Sequence, residues 1–140
     1  MRRPRPPIPT PDIAPPPKGS RTFALDAQDA QRRLNNINDP EAVRDSIVSH
    51  GLYERAFFTW ADVRAIAPEK VWKPERLQRA LEAIEAGIPL PALDVVPGDQ
   101  TNSKDKLLHL NDGIHRYNAA LHDRLTHVPV IVRRWRSARR

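Results

Sequence analysis

The chain has 140 residues, enough for one small domain, and no apolar run of the roughly 18 residues needed to cross a membrane. It contains no cysteine, which excludes disulfides, thiolate catalysis and Cys-ligated zinc and agrees with a cytoplasmic protein. The net charge of +6 is unevenly placed: residues 1–21 carry +4 and residues 133–140 carry +5, leaving −3 for residues 22–132. Such basic ends either attract nucleic-acid phosphates without sequence preference or serve as solubilising tails.

Met1-Arg2-Arg3 is followed by prolines rather than an apolar stretch, so no secretory signal is expected. Eight of the fifteen prolines lie within residues 1–18, and residues 1–21 are expected to form a disordered or polyproline-II-like tail. A helical extension is predicted for residues 22–60. It begins with Ala27–Ile37 behind Asp26. Next comes a helix started by Asp39-Pro40-Glu41, with Val43, Ile47 and Val48 as its buried face and His50-Gly51 as its end. The aromatic run from Leu52 to Trp60 reads as packing material for the domain that follows. That domain is placed at residues 61–135, with 136–140 as a basic tail.

Asp62–Ile66 reads as either a short strand or a helical turn, because its periodicity does not separate the two. Pro74-Glu75 starts a helix with Leu77, Leu81 and Ile84 on its apolar face and Gly87 closing it. Strands are predicted for Ile88–Val96, entered through Pro89 and Pro91, for Lys106–Leu110, and for Val128–Val132, whose Pro129 should leave its first residues unpaired. The resulting order is β-α-β-β-α-β, an α+β fold with helices on a mixed sheet.

Between the last two strands lies the most informative segment. The apolar run Leu107-Leu108-His109-Leu110 ends at Asn111-Asp112-Gly113, and a helix predicted over residues 114–122 follows at once. The first N–H groups of a helix lack intrahelical partners and the dipole favours an anion there, so strand, glycine turn and helix start make a phosphate cradle. Gly113 permits the sharp turn, Arg116 can fork onto phosphate oxygens, and His115 can donate a hydrogen bond or a proton. Asp112 either orients Mg²⁺ or caps the helix.

The turn Asp112-Gly113-Ile114-His115-Arg116-Tyr117-Asn118-Ala119-Ala120, followed by Val128-Pro129-Val130-Ile131-Val132, resembles the ParB/sulfiredoxin superfamily over about residues 62–135. Lys73-Pro74-Glu75-Arg76-Leu77 and Ile88-Pro89-Leu90-Pro91 add to the resemblance. It implies a ParB/sulfiredoxin-like β-α-β-β-α-β sheet and a nucleotide (ATP, ADP or CTP, with Mg²⁺) bound at the turn. Sulfiredoxins carry a nucleophilic cysteine where this chain has Ile114, so their chemistry is not expected. Partition proteins place a helix-turn-helix reader after this domain, and only a few residues follow Val132 here. The kinase relatives have an Asp-Gly-His-His-Arg style turn, which Asp112–Arg116 approaches. They require a carboxylate base, for which Glu69 and Glu75 lie in the right stretch. Arg76 matches a sulfiredoxin position that carries a basic nucleotide-contacting residue.

The expected site therefore comprises Asp112, Gly113, His115, Arg116 and Arg76 as nucleotide ligands, with His115, Glu69 and Glu75 as catalytic candidates. No metal site is expected, because His109, His115, His122 and His127 are not spaced to share an ion. Serine catalysis lacks a Gly-x-Ser-x-Gly motif. The leading expectation is a nucleotide- or phosphate-binding domain, with phosphoryl transfer or nucleotide hydrolysis as the chemistry if it is an enzyme. The alternative is a non-enzymatic module that binds DNA or RNA through its Arg-rich termini. Residues 22–60 are left as lid, homodimer surface or support.

Overall fold

The computed structural model describes residues 12–138. The proline-rich residues 1–11 and the terminal Arg139-Arg140, both assigned above to basic tails, lie outside the described residues.

Two helices come first. α1, Ala27–Ile37, starts where the Asp26 carboxylate accepts from the Asp29 N–H at 3.1 Å. α2, Pro40–His50, starts where Asp39 accepts from the Ala42 N–H at 3.0 Å, and it ends at Gly51 with φ +68°. The expected apolar face of α2 is only partly buried: Val43 and Ile47 are half-buried, while Val48, one position further round, is exposed.

The aromatic run expected to close a helical extension is instead a strand, β1, Leu52–Asp62. Phe58 points into the core while its neighbour Phe57 is 54% exposed, the alternation of a pleated strand rather than a helical stripe. The sheet therefore begins upstream of residue 61. Asp62–Ile66 resolves as a helical turn: Val63–Ala65 is a 3₁₀ turn whose start is fixed by Asp62 accepting from the Arg64 N–H at 2.8 Å. α3, Pro74–Ala86, ends at Gly87 with φ +70°, and its buried centre is Ala80, flanked by half-buried Leu77, Leu81 and Ile84. β2, Leu93–Pro97, β3, Leu108–Asp112, α4, Ile114–His122, and β4, His127–Ser137, complete the β-α-β-β-α-β order expected from the sequence.

The sheet order is β1-β4-β2-β3. β4 is antiparallel to β1 along eleven residue pairs, from Asp62↔His127 to Leu52↔Ser137, and parallel to β2. The first residues of β4 are thus paired, contrary to expectation. Pro129 is tolerated because it sits opposite Trp60 while the ladder to β2 begins one residue later, at Val130. β4 also runs on to Ser137, so the first two residues of the tail expected at 136–140 are strand.

Helices cover both faces of the sheet, which explains why β4 reads as a continuous apolar run. Val128, Val130 and Val132 pack with Leu93, Val95, Tyr117 and Ala120 beneath α4. Ile131 packs on the opposite face with Ala56, Phe58, Ala30 and Leu34 beneath α1. Residues 12–21, expected as a free tail, lie against the domain. Ile13 packs on the α1-side core, the Trp60 indole donates to Ala14 O at 2.8 Å, and the Thr126 N–H donates to Arg21 O at 2.9 Å. Prolines lack the N–H that a ladder needs, so this segment is held by carbonyls and apolar side chains, joined at its ends by Asp12, which accepts from Gln31 Nε2 at 2.9 Å, and by the Arg21 N–H, which donates to Thr126 Oγ1 at 2.8 Å.

Charged groups tie the layers together. Arg133 (β4) donates to Glu54 (β1) at 2.7 Å and to Asp94 (β2) at 3.1 Å, and Arg33 (α1) approaches Asp94 at 3.5 Å. Glu54 holds the Arg133 pKa above its ordinary value, with Asp94 adding to the effect. Asp94 is 7% exposed, and the two guanidiniums offset the cost of desolvating its charge.

Candidate functional site

The sheet delivers β3 to Asp112, and the chain turns at Gly113 into α4. Gly113 has φ +109°, a left-handed conformation that side chains resist. A Cβ there would stand 2.8 Å from Leu93 Cγ and 3.3 Å from Arg116 Nη2. The glycine is thus required by backbone conformation and by close packing. Gly113 is itself the N-cap and supplies no side-chain cap; the first helical bond is Tyr117 N–H to Gly113 O at 2.9 Å. The N–H groups of Ile114, His115 and Arg116 therefore precede the helical ladder. Asp112 does not cap the helix; its side chain is 76% exposed and stands 3.7 Å from Arg116 Nη2.

Beside this helix start is an open cleft of about 360 Å³ lined by Trp72, Arg76, Ala80 and residues 111–116. That volume is at the lower end of the range for small-molecule sites, about 300–1,000 Å³. Arg76, Asp112, Gly113, His115 and Arg116 are brought together as the sequence anticipates. Glu69 and Glu75 are not among the lining residues. Glu69 contributes its backbone carbonyl to Asn118 Nδ2 at 2.9 Å, which pins the loop before α3 onto α4. Glu75 sits in the first turn of α3, close enough to act on the charge of His115.

Arg116 is more deeply placed than a simple phosphate fork would be. Its side chain is 16% exposed, and Nη1 donates to Pro91 O at 2.7 Å and Ala92 O at 3.3 Å. The carbonyls belong to the proline-rich entry to β2, whose Pro91 offers no N–H in return. Burial lowers the Arg116 pKa, with Asp112 opposing the effect, yet a guanidinium remains charged at any physiological pH. One side of Arg116 is thus committed to the fold, while Nη2 stays beneath the turn.

His115 joins α4 to α3. The Lys73 N–H donates to His115 Nε2 at 3.2 Å, so Nε2 is the unprotonated nitrogen and Nδ1 holds the proton of the neutral ring. Burial lowers the His115 pKa; the Arg76 and Lys73 charges lower it further, and Glu75 opposes them. The imidazole is therefore neutral in a strongly cationic corner.

Trp72 was missed by the sequence reading. It is 59% exposed at the rim of the cleft, with Lys73 Nζ 4.8 Å and Arg76 Cζ 5.3 Å from its ring and the His115 ring 5.6 Å away. A tryptophan directly before Lys73-Pro74-Glu75-Arg76 was a usable signal, because it precedes a helix start rather than occupying an apolar periodic position.

The other histidines stay apart from the cleft. His109 contacts Asp105 at 2.7 Å and His127 contacts Thr126 at 2.9 Å. No cluster of three His, Cys, Asp or Glu able to hold a metal occurs among the described residues, and none of their helices is long and apolar enough to cross a membrane. The cleft brings together helix-start N–H groups, Arg76 on the wall, an exposed aromatic ring on the rim and Asp112 as the lining carboxylate.

No family model matches the chain, and neither does any curated protein. Among solved structures the fold is similar to sulfiredoxin from Arabidopsis thaliana, at 14% identity and a TM-score of 0.44, over 54% of this chain and 83% of that one. It is also similar to a C-terminally truncated chromosome-partitioning protein ParB from Caulobacter crescentus complexed with CTP-γ-S, at 20% identity and a TM-score of 0.43. This second match covers 54% of this chain and 43% of that one, so the chain spans less than half of the ParB structure. The two structures are of the kinds that the turn and its neighbouring motifs resemble, and each is matched over about half of this chain.

Proposed function

We propose that this chain is a nucleotide-binding domain whose ligand occupies the Gly113 cleft, with its phosphates at the first turn of α4 and its base at Trp72. The observation that carries the reading is the pairing of an uncapped helix start with a rim of Trp72 and Arg76 around one cleft. Backbone N–H groups and Arg76 neutralise phosphate charge, and the indole presents an apolar face to a base. Arg116 acts mainly as a positioning residue, holding the turn against Pro91 and Ala92. Magnesium would arrive with the phosphates, and Asp112 is the lining carboxylate available to it.

Binding is better supported than catalysis. Phosphoryl transfer or hydrolysis by Glu69 or Glu75 lacks support, because neither lines the cleft. His115 is the imidazole on the wall, and its lowered pKa leaves it neutral near pH 7. The test is a thermal-shift series with ATP, ADP, CTP and GTP, with and without Mg²⁺, alongside pyrophosphate. A ligand at a hundredfold its Kd should stabilise the protein by about 2.7 kcal/mol. Trp72→Ala should reduce the shift from nucleotide and spare that from pyrophosphate. Absence of any shift at millimolar ligand would refute the proposal.

A further inference from the structure

The pairing of β4 with β2 ends at Val132, but its pairing with β1 continues to Ser137. Residues 52–56 and 133–137 therefore form a two-stranded ribbon beyond the body of the sheet. Directly opposed residues share a face, so Tyr53 with Arg136, Arg55 with Arg134, and Phe57 with Val132 stand together. The other face carries Glu54, Arg133 and Trp135 and lies against Val43 and Ser46 of α2. Among the described residues no helix lies over the first face.

That open face alternates aromatic rings with arginines. Phe57 is 54% exposed, Arg55 and Arg136 are exposed, and the Arg55 guanidinium lies 5.6 Å from the centre of the Tyr53 ring. At about 3.4 Å per residue, Tyr53 and Phe57 stand roughly 13 Å apart with Arg55 between them. Arg55 and Arg134 are directly opposed like charges, an arrangement that costs stability. Arg134 meets Asp99 at 3.2 Å, while Arg55 and Arg136 form no ion pair among the described residues. Beside Phe57 a shallow groove of about 270 Å³ runs past Lys106 and Leu107. Of the two acids along it, Asp99 is occupied by Arg134, and Asp105 accepts from the Leu107 N–H and contacts His109.

We infer that this ribbon face binds single-stranded nucleic acid, with bases stacked on Tyr53 and Phe57 and phosphates held by Arg55, Arg134, Arg136 and Lys106. Rings interleaved with cations on a flat face suit unpaired bases, whose π-faces a duplex hides within its stack. A second copy of the chain is disfavoured as occupant because it would bring like charges together. The surface is separate from the Gly113 cleft and does not depend on its ligand.

The test is fluorescence anisotropy of the full chain with labelled oligo-dT and oligo-U across a salt series, with a duplex and polyglutamate as competitors. Single strands should bind saturably. Arg55→Glu with Arg136→Glu should weaken binding and flatten the slope of log K against log salt by about 0.7 per arginine. Phe57→Ala should weaken it about 5- to 150-fold, and Phe57→Trp should restore it. Circular dichroism should show all variants folded, and nucleotide thermal shifts at the cleft should be unchanged. Absent binding, binding undiminished by these substitutions, or displacement by duplex or polyglutamate as readily as by single strands would overturn the inference.

Discussion

Replacing Gly113 by alanine tests the geometry on which the cleft rests. Two costs arise from the structure. At φ +109° an alanine backbone is disfavoured by about 1–2 kcal/mol. Its Cβ would lie 2.8 Å from Leu93 Cγ, and Leu93 is fully buried, so relief requires movement within the core. Overpacking of this kind costs about 1–3 kcal/mol. Together they predict a loss of about 2–5 kcal/mol, or roughly 8–20 °C in Tm at about 4 °C per kcal/mol for a chain of this size. Gly87→Ala is the internal reference: its φ is +70° and nothing lies within 4 Å of an added Cβ, so it reports the backbone cost alone. Urea denaturation of both variants separates the two contributions. If Gly113→Ala destabilises no more than Gly87→Ala, the close approach of the turn to Leu93 is refuted, and with it the reason for a glycine here beyond its conformation.

Arg116→Ala should lower stability by about 2–4 kcal/mol in chemical denaturation, because it leaves the Pro91 and Ala92 carbonyls without their charged donor. A change below 0.5 kcal/mol, roughly the scatter for an ordinary surface site, would show the side chain to be free for ligand. Trp72→Ala, at an exposed rim position, should change stability by less than about 1 kcal/mol while reducing nucleotide affinity; a collapse of the fold would reassign Trp72 to the core. Arg133→Met should cost about 3 kcal/mol, since it leaves Asp94 buried with Arg33 alone. For His115 the folded pKa lies below the unfolded value of about 6.5. Between the two the unfolded chain holds the extra proton, so stability falls as pH drops below that value and is insensitive to this group above it. His115→Asn should remove that part of the acid dependence, measured as the change in urea midpoint between neutral and mildly acidic buffer. A bound anion should raise the His115 pKa, so nucleotide binding should take up protons in calorimetry.

Several features were legible in the residues because their causes are local. Asp39-Pro40 and Pro74 announce helix starts, Gly51 and Gly87 announce ends, and the Asn111-Asp112-Gly113 turn between a strand and a helix follows from conformational freedom at one position. These depend on backbone groups within a few residues of one another. Part of the cleft was legible to the same extent, since Gly113, His115 and Arg116 share one turn, whereas Arg76 was named only through the family resemblance.

What the tertiary structure decided depends on partners far away in the chain. Leu52–Asp62 became a strand because β4 lies alongside it over its full length, and nothing within the aromatic run itself selects that partner. The arginines after Val132 read as a tail until Glu54, Asp94 and Asp99 were placed beside Arg133 and Arg134. Arg116 was expected to fork onto phosphate, and the carbonyls of Pro91 and Ala92 claimed half of it. Glu69 and Glu75 were near in sequence to the right helix but outside the cleft, while Trp72 came to its rim. The sequence by itself determined where helices begin and turns occur, because local sterics and unpaired N–H groups act over one or two turns. Strand pairing, and the choice between ligand and protein for each charged side chain, was decided only by the fold, because both depend on which distant backbone and carboxylate groups arrive alongside.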